Sequence, residues 1–563
     1  MTRSLTTGRL AVAATHAQAA LAVHAPELVD AFTAALPAAA DTVGRRLRGA
    51  LVREDIGDAR ARHAGQGTRH AFDRVEFATA GADDPVDLLA GLDAPGFATE
   101  LRNAVVNLAI ALARSGGHSR PADPDVAAVA AERLAVAGHN LHPCGRTRLG
   151  WDTTDVLAHD LEAGRTAIGF VAVRDDGHLG DDVGAALAEA YPDLPAAPPG
   201  YRLQPVHAWQ RDVVLPGRYA DLLRDGAVRI LDAELDAAPT AALRTLLLPP
   251  GADGRRRYLK VSLDIQVTST RRSISVASTR NGPAVSALLH RLAAEDPDGD
   301  RLILLAETAG AAVPAGSGRD LSAILRDALT GRLHAGEVAV PGSALPAVDP
   351  ATGRTVLAGL VDAYPGSAAD WLRAYAGLLL PPLLRFTARG VALEAHLQNC
   401  LPTFAGGVPR RLVVRDFAGL RLHLPRLAAG GVTGDTATDG RPGGPAGGSA
   451  AGGGSLGLWP GSVVGTADDG VLRAKIGYTA FQAHLGELII RLGQSHGLAE
   501  DAAWRIVRAV VDETYAGMDG AAARADHAAL TAPRAPHKAL VRMRLAGDGD
   551  LYLPVANPLH ARA

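Results

Sequence analysis

Between Lys260 and Arg272 the chain reads KVSLDIQVTSTRR, and the strict alternation of this stretch limits what can be built around it. Val261, Leu263, Ile265 and Val267 fall on one side; Lys260, Ser262, Asp264, Gln266, Thr268 and Arg272 share the other. A period of two held over this length predicts a half-buried strand, because successive side chains of an extended chain point to opposite faces. Its polar face is then a wet row of cationic and hydroxyl groups. Lysine is scarce in this protein: of 57 lysines and arginines, only Lys260, Lys475 and Lys538 are lysine. A lysine kept in such a background marks a place for a compact ammonium, as at a phosphate, rather than a planar guanidinium. The competing reading is an ordinary edge-strand lysine.

At 563 residues the chain exceeds what one core supports, so several domains are expected. A 47% hydrophobic content with a formal charge of −3 excludes intrinsic disorder and a basic nucleic-acid footprint. Two cysteines, Cys144 and Cys400, do not make a disulfide framework and fit a reducing compartment. His16, Gln18 and His24 interrupt the N-terminal apolar run, and no stretch reaches the eighteen or so apolar residues that span a bilayer. A cytoplasmic protein with no membrane and no nucleic-acid partner is therefore expected.

Residues 1–150 read mainly as helical, as in 100–115, where Leu101, Val105, Leu108 and Leu112 recur at helical spacing. From 151 to 345 short alternating runs predominate: Thr166–Val173, Val228–Asp232, the Lys260 strand and Leu302–Glu307, with amphipathic helices predicted at 284–294 and 319–330. The part from 346 to 563 begins with a helix near 367–385, continues with strand-like runs at 391–399 and 411–416, and returns to helix from about 477 to 530. Within it, 428–457 is built almost wholly of Gly, Ala, Ser, Thr, Asp and Pro and is expected as a flexible surface loop. No lysine follows a glycine, no G-x-G-x-x-G follows a strand, and no G-x-S-x-G nucleophile elbow is present, the one match, GGSLG at 453–457, lying within the Gly-rich stretch. Walker-type, Rossmann and α/β-hydrolase readings are thereby excluded.

Two further constellations carry chemistry. In VALEAHLQN, 391–399, Glu394, His396 and Gln398 share one face of a predicted strand. RLVVRDF, 411–417, reads as a returning strand, and a hairpin would bring Asp416 towards Glu394. Two carboxylates beside a histidine suit a hard divalent cation that bridges nucleotide phosphates; a salt bridge to Arg415 is the alternative. In GHNLHPCGRTRLG, 138–150, a Pro/Gly-rich turn can present His139, His142, Arg146 and Arg148 to an anion. Zinc is the rival there, although His139, His142 and Cys144 are too close-set for the usual paired ligand spacing. HAWQ at 207–210 is unspecific alone, and His207 reads equally well as a structural residue beside a buried Trp209.

Taken in order, GHNLHPCGRTRLG, HAWQ, KVSLDIQVTSTRRSIS with NGP at 281–283, VALEAHLQN, RDFAG, KALVRMRL and NPL at 557–559 resemble one family. It is the aerobactin synthetase (IucA/IucC-like) family of siderophore synthetases that work without a nonribosomal peptide template. The resemblance runs from about residue 138 to the C-terminus. It implies an α+β multidomain, hand-like fold: a helical thumb at 1–150, sheet-based fingers at 151–345, and a kinase-like palm at 346–563 that carries the 428–457 insertion. It also implies a homodimer.

The chemistry it implies is ATP- and Mg²⁺-dependent activation of citrate or a related acid as an acyl-adenylate. An amine, hydroxylamine or alcohol then condenses, and AMP and pyrophosphate are released. By the same resemblance, Lys260 is a nucleotide-binding lysine, Thr268 and Arg272 meet the carboxylate and α-phosphate, and Ser269 belongs with the nucleotide contacts. His139, His142, Arg146 and Arg148 meet the triphosphate and adenylate; His396 meets acid and adenylate; Gln398 and Asn399 lie beside the nucleotide; Glu394 and Asp416 form the magnesium site.

The chain departs from the family pattern in having Arg146 where lysine is usual and Asp264 where asparagine is common. The latter would repel an anionic substrate unless paired, with Arg271 or Arg272. Cys144 and Cys400 are expected to be packing residues. Within the class, the runner-up substrate is a monosubstituted citrate or a succinylated hydroxylamine-diamine, with oligomerisation or macrocyclisation. Readings from other classes are a small-molecule phosphotransferase and a non-catalytic nucleotide- or siderophore-binding protein.

Overall fold

The computed structural model describes residues 9–116, 121–316, 318–433, 454–460, 462–547 and 549–560; most of the glycine-rich stretch, 434–453, lies outside them. At the N-terminus three helices bury their apolar stripes against one another: α1 (Arg9–His24), α2 (Val29–Glu54) and α3 (Pro95–Arg114). Leu101, Val105 and Leu108 of α3 are buried with Phe32, Leu36, Val43 and Leu47 of α2, as the helical spacing predicts. A short helix, α4 (Pro124–Glu132), starts where the Asp123 carboxylate accepts from the Asp125 and Val126 amides.

The middle of the chain supplies β1 (Arg148–Leu149), β2 (Thr166–Arg174), β3 (Leu179–Gly180), β4 (Tyr201–His207), β5 (Val228–Pro239), β6 (Thr245–Leu247), β7 (Arg257–Val261), β8 (Leu263–Val267) and β9 (Thr270–Arg272). After helix α5 (Val276–Ala294) come β10 (Leu302–Leu304), β11 (Glu307–Ala312), β12 (Ser322–Asp327) and β13 (Val338–Ala339). Eight of these form one antiparallel sheet in the order β3-β11-β12-β7-β6-β5-β2-β4. The C-terminal part adds α6 (Ala368–Ala388), a hairpin of β14 (Cys400–Ala405) and β15 (Val408–Val414), and α7 (Asp469–Ile476). It ends with α8 (Gly486–His496), α9 (Glu500–Ala516) and a short helix α10 (Leu540–Ala546). The chain is thus α+β. No helix among the described residues is long and apolar enough to cross a membrane.

The alternating stretch is three strands, not one. β7 sits inside the eight-stranded sheet, whereas β8 pairs with β9 and β1 in a separate three-stranded sheet. The ladder changes at Ser262, whose amide donates to the Ser322 carbonyl at 2.9 Å and whose hydroxyl donates to the Arg319 carbonyl at 2.6 Å. Val261 packs in the core of the large sheet, whereas Leu263, Ile265 and Val267 pack against the N-terminal helices. The apolar parity is real, but it serves two cores. Thr268, with φ 59°, turns the β8–β9 hairpin, and Arg272 returns opposite Leu263.

Lys260 is not on a wet face. It is 1% exposed and paired on both sides, with Ile324 of β12 and Thr245 of β6, so the edge-strand reading also fails. Its Nζ lies 2.8 Å from Asp416 Oδ1 and 3.8 Å from Glu307 Oε1. The predicted helix at 319–330 is instead strand β12, buried between β7 and β11, where ladder pairing overrides the helix propensity of its Ala, Leu and Arg residues. Leu302–Glu307 likewise divides: β10 runs parallel to β15 in a four-stranded sheet, and Glu307 begins β11 in the large one. In 391–399 only Val391 and Ala392 are strand; the rest is an irregular loop closed by His396 and Asn399 amides bonding to the Glu394 and His396 carbonyls. The predicted hairpin forms just beyond, turning at Gly406 and Gly407, both at positive φ.

Replacing Lys260 by alanine leaves Asp416 and Glu307 with less compensating charge in a buried site, so urea unfolding is expected to show a loss of about 3–5 kcal/mol; a loss below about 1 kcal/mol would contradict the burial. Burial holds His207 at about 3 and His484 at about 4, against 6.5 ordinarily. Between those values the unfolded chain binds more protons, so stability falls as pH drops from about 6.5 towards 4. His207 Nδ1 accepts from the Trp209 amide. Asparagine can supply that acceptor without a titrating ring, so His207→Asn is expected to flatten the acid side of a Tm-versus-pH curve.

Candidate active site

A cleft of about 1070 Å³ opens where α2, the 138–150 turn, the β8–β9 hairpin, the 393–399 loop and the segments around Lys475 and Lys538 converge. His139, His142, Arg146, Arg148, Thr268, Ser269, Arg272, Glu394, His396 and Gln398 line it. Lys260, Asn399 and Asp416 are not among the lining residues; the first two are buried, and Asp416 is half-buried.

The 138–150 turn is held by close backbone contact. Gly138 has φ 66°, and a Cβ there would stand 2.6 Å from the Gly145 carbonyl oxygen. His139 Nδ1 accepts from the Leu141 and His142 amides, and His142 Nδ1 accepts from the Cys144 amide at 3.0 Å. The His142 proton therefore resides on Nε2, which has no partner although the residue is only 2% exposed. Burial, with Arg544, Arg46 and Lys538 nearby, pushes His142 down to about 3. At neutral pH it is an uncharged N–H donor. His396 is built alike: Nδ1 accepts from the Gln398 amide, and burial outweighs Glu394 in lowering it.

Arg146 and Arg148 are not free cations. Arg146 pairs with Glu162 and, at 3.3 Å, with Asp160; Arg148 Nε lies 2.9 Å from Asp160 Oδ2. Both guanidinium groups brace the turn. Cys144 is buried, its thiol pushed up by that burial, and it does not line the cleft. No group of three or more His, Cys, Asp or Glu among the described residues could hold a metal, which removes the zinc reading.

Arg272 differs. Its Nη2 donates to Thr268 Oγ1 at 3.1 Å, its Nε has no partner, and no carboxylate of the described residues lies within 4 Å. Burial, then Arg244 and Arg148, pull it down to about 9. A half-buried cation without a counter-ion, its Nε buried and unpartnered and a hydroxyl beside it, is a site for an anion. The carboxylate of Asp264 is paired with Arg271 and, at 2.6 Å, with Arg218, so it does not oppose one.

Glu394 Oε1 lies 2.9 Å from Lys475 Nζ, and a Cβ at Gly419 would come within 1.8 Å of Glu394 Oε2. The glycine of RDFAG thus makes room for this carboxylate. Asp416, with φ 64°, is held by Lys260; burial would raise its carboxyl, but Lys260, Arg326 and Arg244 keep it far below the usual range. Arg415 pairs with Glu132 and donates to the Gln398 carbonyl, so the alternative of an Arg415 salt bridge to Asp416 or Glu394 is not what forms. Asn399 Nδ2 donates to the Glu394 carbonyl at 3.1 Å and fixes the loop. Glu394 and Asp416 are both held ionised, each with an ammonium partner, Lys475 and Lys260, and offer the oxygen donors that a hard cation takes.

Motif reasoning missed Lys475 and Lys538, which both line the cleft, the latter 2.6 Å from Asp550. The scarcity of lysine that singled out Lys260 pointed equally to them. It also missed Arg46, Arg53 and Tyr478, which no local pattern distinguishes.

The model of the IucA / IucC family matches residues 127–347, and that of the ferric iron reductase FhuF-like transporter matches 369–553. A citryl-spermidine/3,4-dihydroxybenzoyl-citryl-spermidine:spermidine ligase of Bacillus anthracis is 28% identical over 323 residues, 53% of this chain and 52% of the ligase. Against the first curated relatives the chain spans 52–62% of their length. The petrobactin biosynthesis protein AsbB from Bacillus anthracis superposes with TM-score 0.76 at 18% identity, covering 99% of this chain and 98% of that one. ATP-bound aerobactin synthetase IucA of Klebsiella pneumoniae gives TM-score 0.69 at 18% identity, over 92% and 99%. The IucA / IucC family model thus lies over the 138–150 turn and the β7–β9 segment, and the chain shares its fold with AsbB across nearly its whole length.

Proposed function

We propose that the protein is an ATP-dependent carboxylate–amine ligase of siderophore biosynthesis that activates citrate or a related acid as its adenylate. The observation that carries this reading is Arg272, a half-buried cation without a counter-ion at the cleft wall, beside Thr268 and within a cleft that also holds the N–H donors of His142 and His396. The names of relatives support it: one is a citryl-spermidine ligase, and a protein of the same fold binds ATP.

In the reaction, an oxygen of the acid attacks the α-phosphorus and pyrophosphate leaves. The amine then attacks the acyl carbon, and AMP leaves with the carboxyl oxygen. Negative charge grows on the α-phosphoryl oxygens and on the leaving group, and fixed donors in a dry cleft stabilise it without reorganising. Arg272 and Thr268 hold the reacting carboxylate against the α-phosphate. His142 Nε2–H donates to a phosphate oxygen, and His396 Nε2–H donates where acid and adenylate meet. Ser269, Gln398 and His139 border the nucleotide. Arg146, Arg148, Asn399 and Lys260 act indirectly: the first two brace the turn, Asn399 fixes the loop, and Lys260 holds Asp416. Glu394 and Asp416 would hold Mg²⁺, which when bound supplies charge neutralisation at the phosphates. The two cysteines take no part. We further propose the hand-like division, with residues 1–150 as thumb, 151–345 as fingers and 346–563 as palm.

Incubation with ATP, citrate and hydroxylamine is expected to yield acyl-hydroxamate, AMP and pyrophosphate, and Arg272→Ala to cut the rate by about 10²–10³. ADP in place of AMP would make the protein a phosphotransferase. No nucleotide turnover with any citrate- or succinate-type acid would leave it a binding protein.

A further inference from the structure

The charges that line the cleft are unevenly compensated. Its carboxylates are taken: Glu394 by Lys475, Asp550 by Lys538, Glu487 by Arg74 at 2.7 Å and by Arg491, and Glu54 by the amides of Val541 and Arg542 at 3.1 and 2.7 Å. Three cleft arginines, Arg272, Arg46 and Arg53, have no carboxylate of the described residues within 4 Å. Arg272 belongs to the adenylate end. Arg46 donates to the Ala137 carbonyl beside the 138–150 turn and so stands on the phosphate side.

Arg53 stands apart from both. It is 7% exposed, donates from Nε to the Phe72 carbonyl at 2.9 Å and reaches Gln482 Oε1 at 3.3 Å. Gln482 Oε1 is shared with His537, and its amide donates to the Pro536 carbonyl, so it offers little compensation. A second observation lies alongside. Tyr478, 6% exposed, lines the same cleft with its hydroxyl unpartnered, within electrostatic reach of Arg53 and Glu394. It stands in the wide-turned helical segment Gly477–Leu485, an irregularity that re-aims side chains and recurs at functional sites. A buried guanidinium and a buried hydroxyl, both facing the cleft and both short of partners, fit one carboxylate, which accepts from each.

Arg272, Glu394, Tyr478 and Arg53 line one cleft. With the activated carboxyl at Arg272, a carboxylate at Arg53 belongs to another group bound in that cleft. Resting on the proposed ligase reading, we infer that Arg53 and Tyr478 form an acceptor subsite that selects an amine carrying its own carboxylate, an amino acid rather than a plain diamine or polyamine.

The test compares ornithine with putrescine, the same diamine without the carboxyl, and with hydroxylamine, which is too small to reach the subsite. AMP formation from ATP and citrate is followed at varied acceptor concentration. The wild type is expected to use ornithine at a lower KM than putrescine. Arg53→Gln and, independently, Tyr478→Phe are expected to lower the ratio of ornithine- to hydroxylamine-dependent rates about ten-fold or more, the size of one lost charged hydrogen bond, and Arg53→Lys to restore part of it. A wild-type preference for putrescine, or equal losses with ornithine and hydroxylamine, would overturn the assignment, the latter placing the pair at the acid or nucleotide. Absence of hydroxamate from the wild type would instead refute adenylation itself.

Discussion

The ion pair between Lys260 and Asp416 joins the two halves of the site. Lys260 is on a central strand of the eight-stranded sheet, and Asp416 follows the β14–β15 hairpin of the C-terminal part. Arg326 of β12 and Glu307 of β11 complete the buried cluster, 3.2 Å apart. Such a cluster gains little net stability, because desolvation offsets most of the attraction, but it penalises any arrangement that separates its members. Asp416 tolerates a left-handed backbone there, a conformation costing a non-glycine residue on the order of 1 kcal/mol. The consequence is positional. With Asp416 pinned, the turn towards Gly419 is fixed, and Gly419 leaves the space that Glu394 fills.

Charge at this site is arranged in layers. Behind the lining, Lys260, Asp160 and Glu132 neutralise partners and hold backbone segments in register. On the lining, a few groups are left uncompensated, namely Arg272, Arg46, Arg53 and the hydrogen-bonding atoms of His142 and Tyr478. Buried polar groups in folded proteins are nearly always satisfied, so a concentration of exceptions on one surface describes what the surface is waiting to bind. Here the exceptions are cations and N–H or O–H donors, a lining that favours anions.

Much of this was legible in the sequence, and the limits have physical causes. The parity of Lys260–Arg272 gave the apolar buried residues, because period two survives even where the backbone changes sheets, but not the burial of Lys260 and Ser262, each 1% exposed. It could not reveal the change at Ser262, since Val261 and Leu263 are equally apolar yet belong to different cores. The same holds for VALEAHLQN: burial alternates as expected, although only two of its residues are strand. RDLSAILRDALT misled because its leucines and alanines are good helix formers, and only long-range pairing with β7 and β11 decides otherwise. Arg53 and Tyr478 were invisible for a different reason. What sets them apart is the absence of partners, a property of the assembled fold that no local pattern encodes.

The histidines show how far environment rewrites residue type. Read from sequence, His139 and His142 in an arginine-containing turn suggest positive charge for a triphosphate. In the fold, burial and the neighbouring Arg544, Arg46 and Lys538 make protonation of His142 unfavourable, while the Cys144 amide occupies its Nδ1 and fixes its tautomer. The ring becomes an oriented neutral donor. Such a donor can bond an anion in the cleft without presenting it a full positive charge. Arg146 is likewise set by its surroundings. A planar guanidinium can bridge Asp160 and Glu162 at once, which a single ammonium point charge does less well, so this position serves as scaffolding.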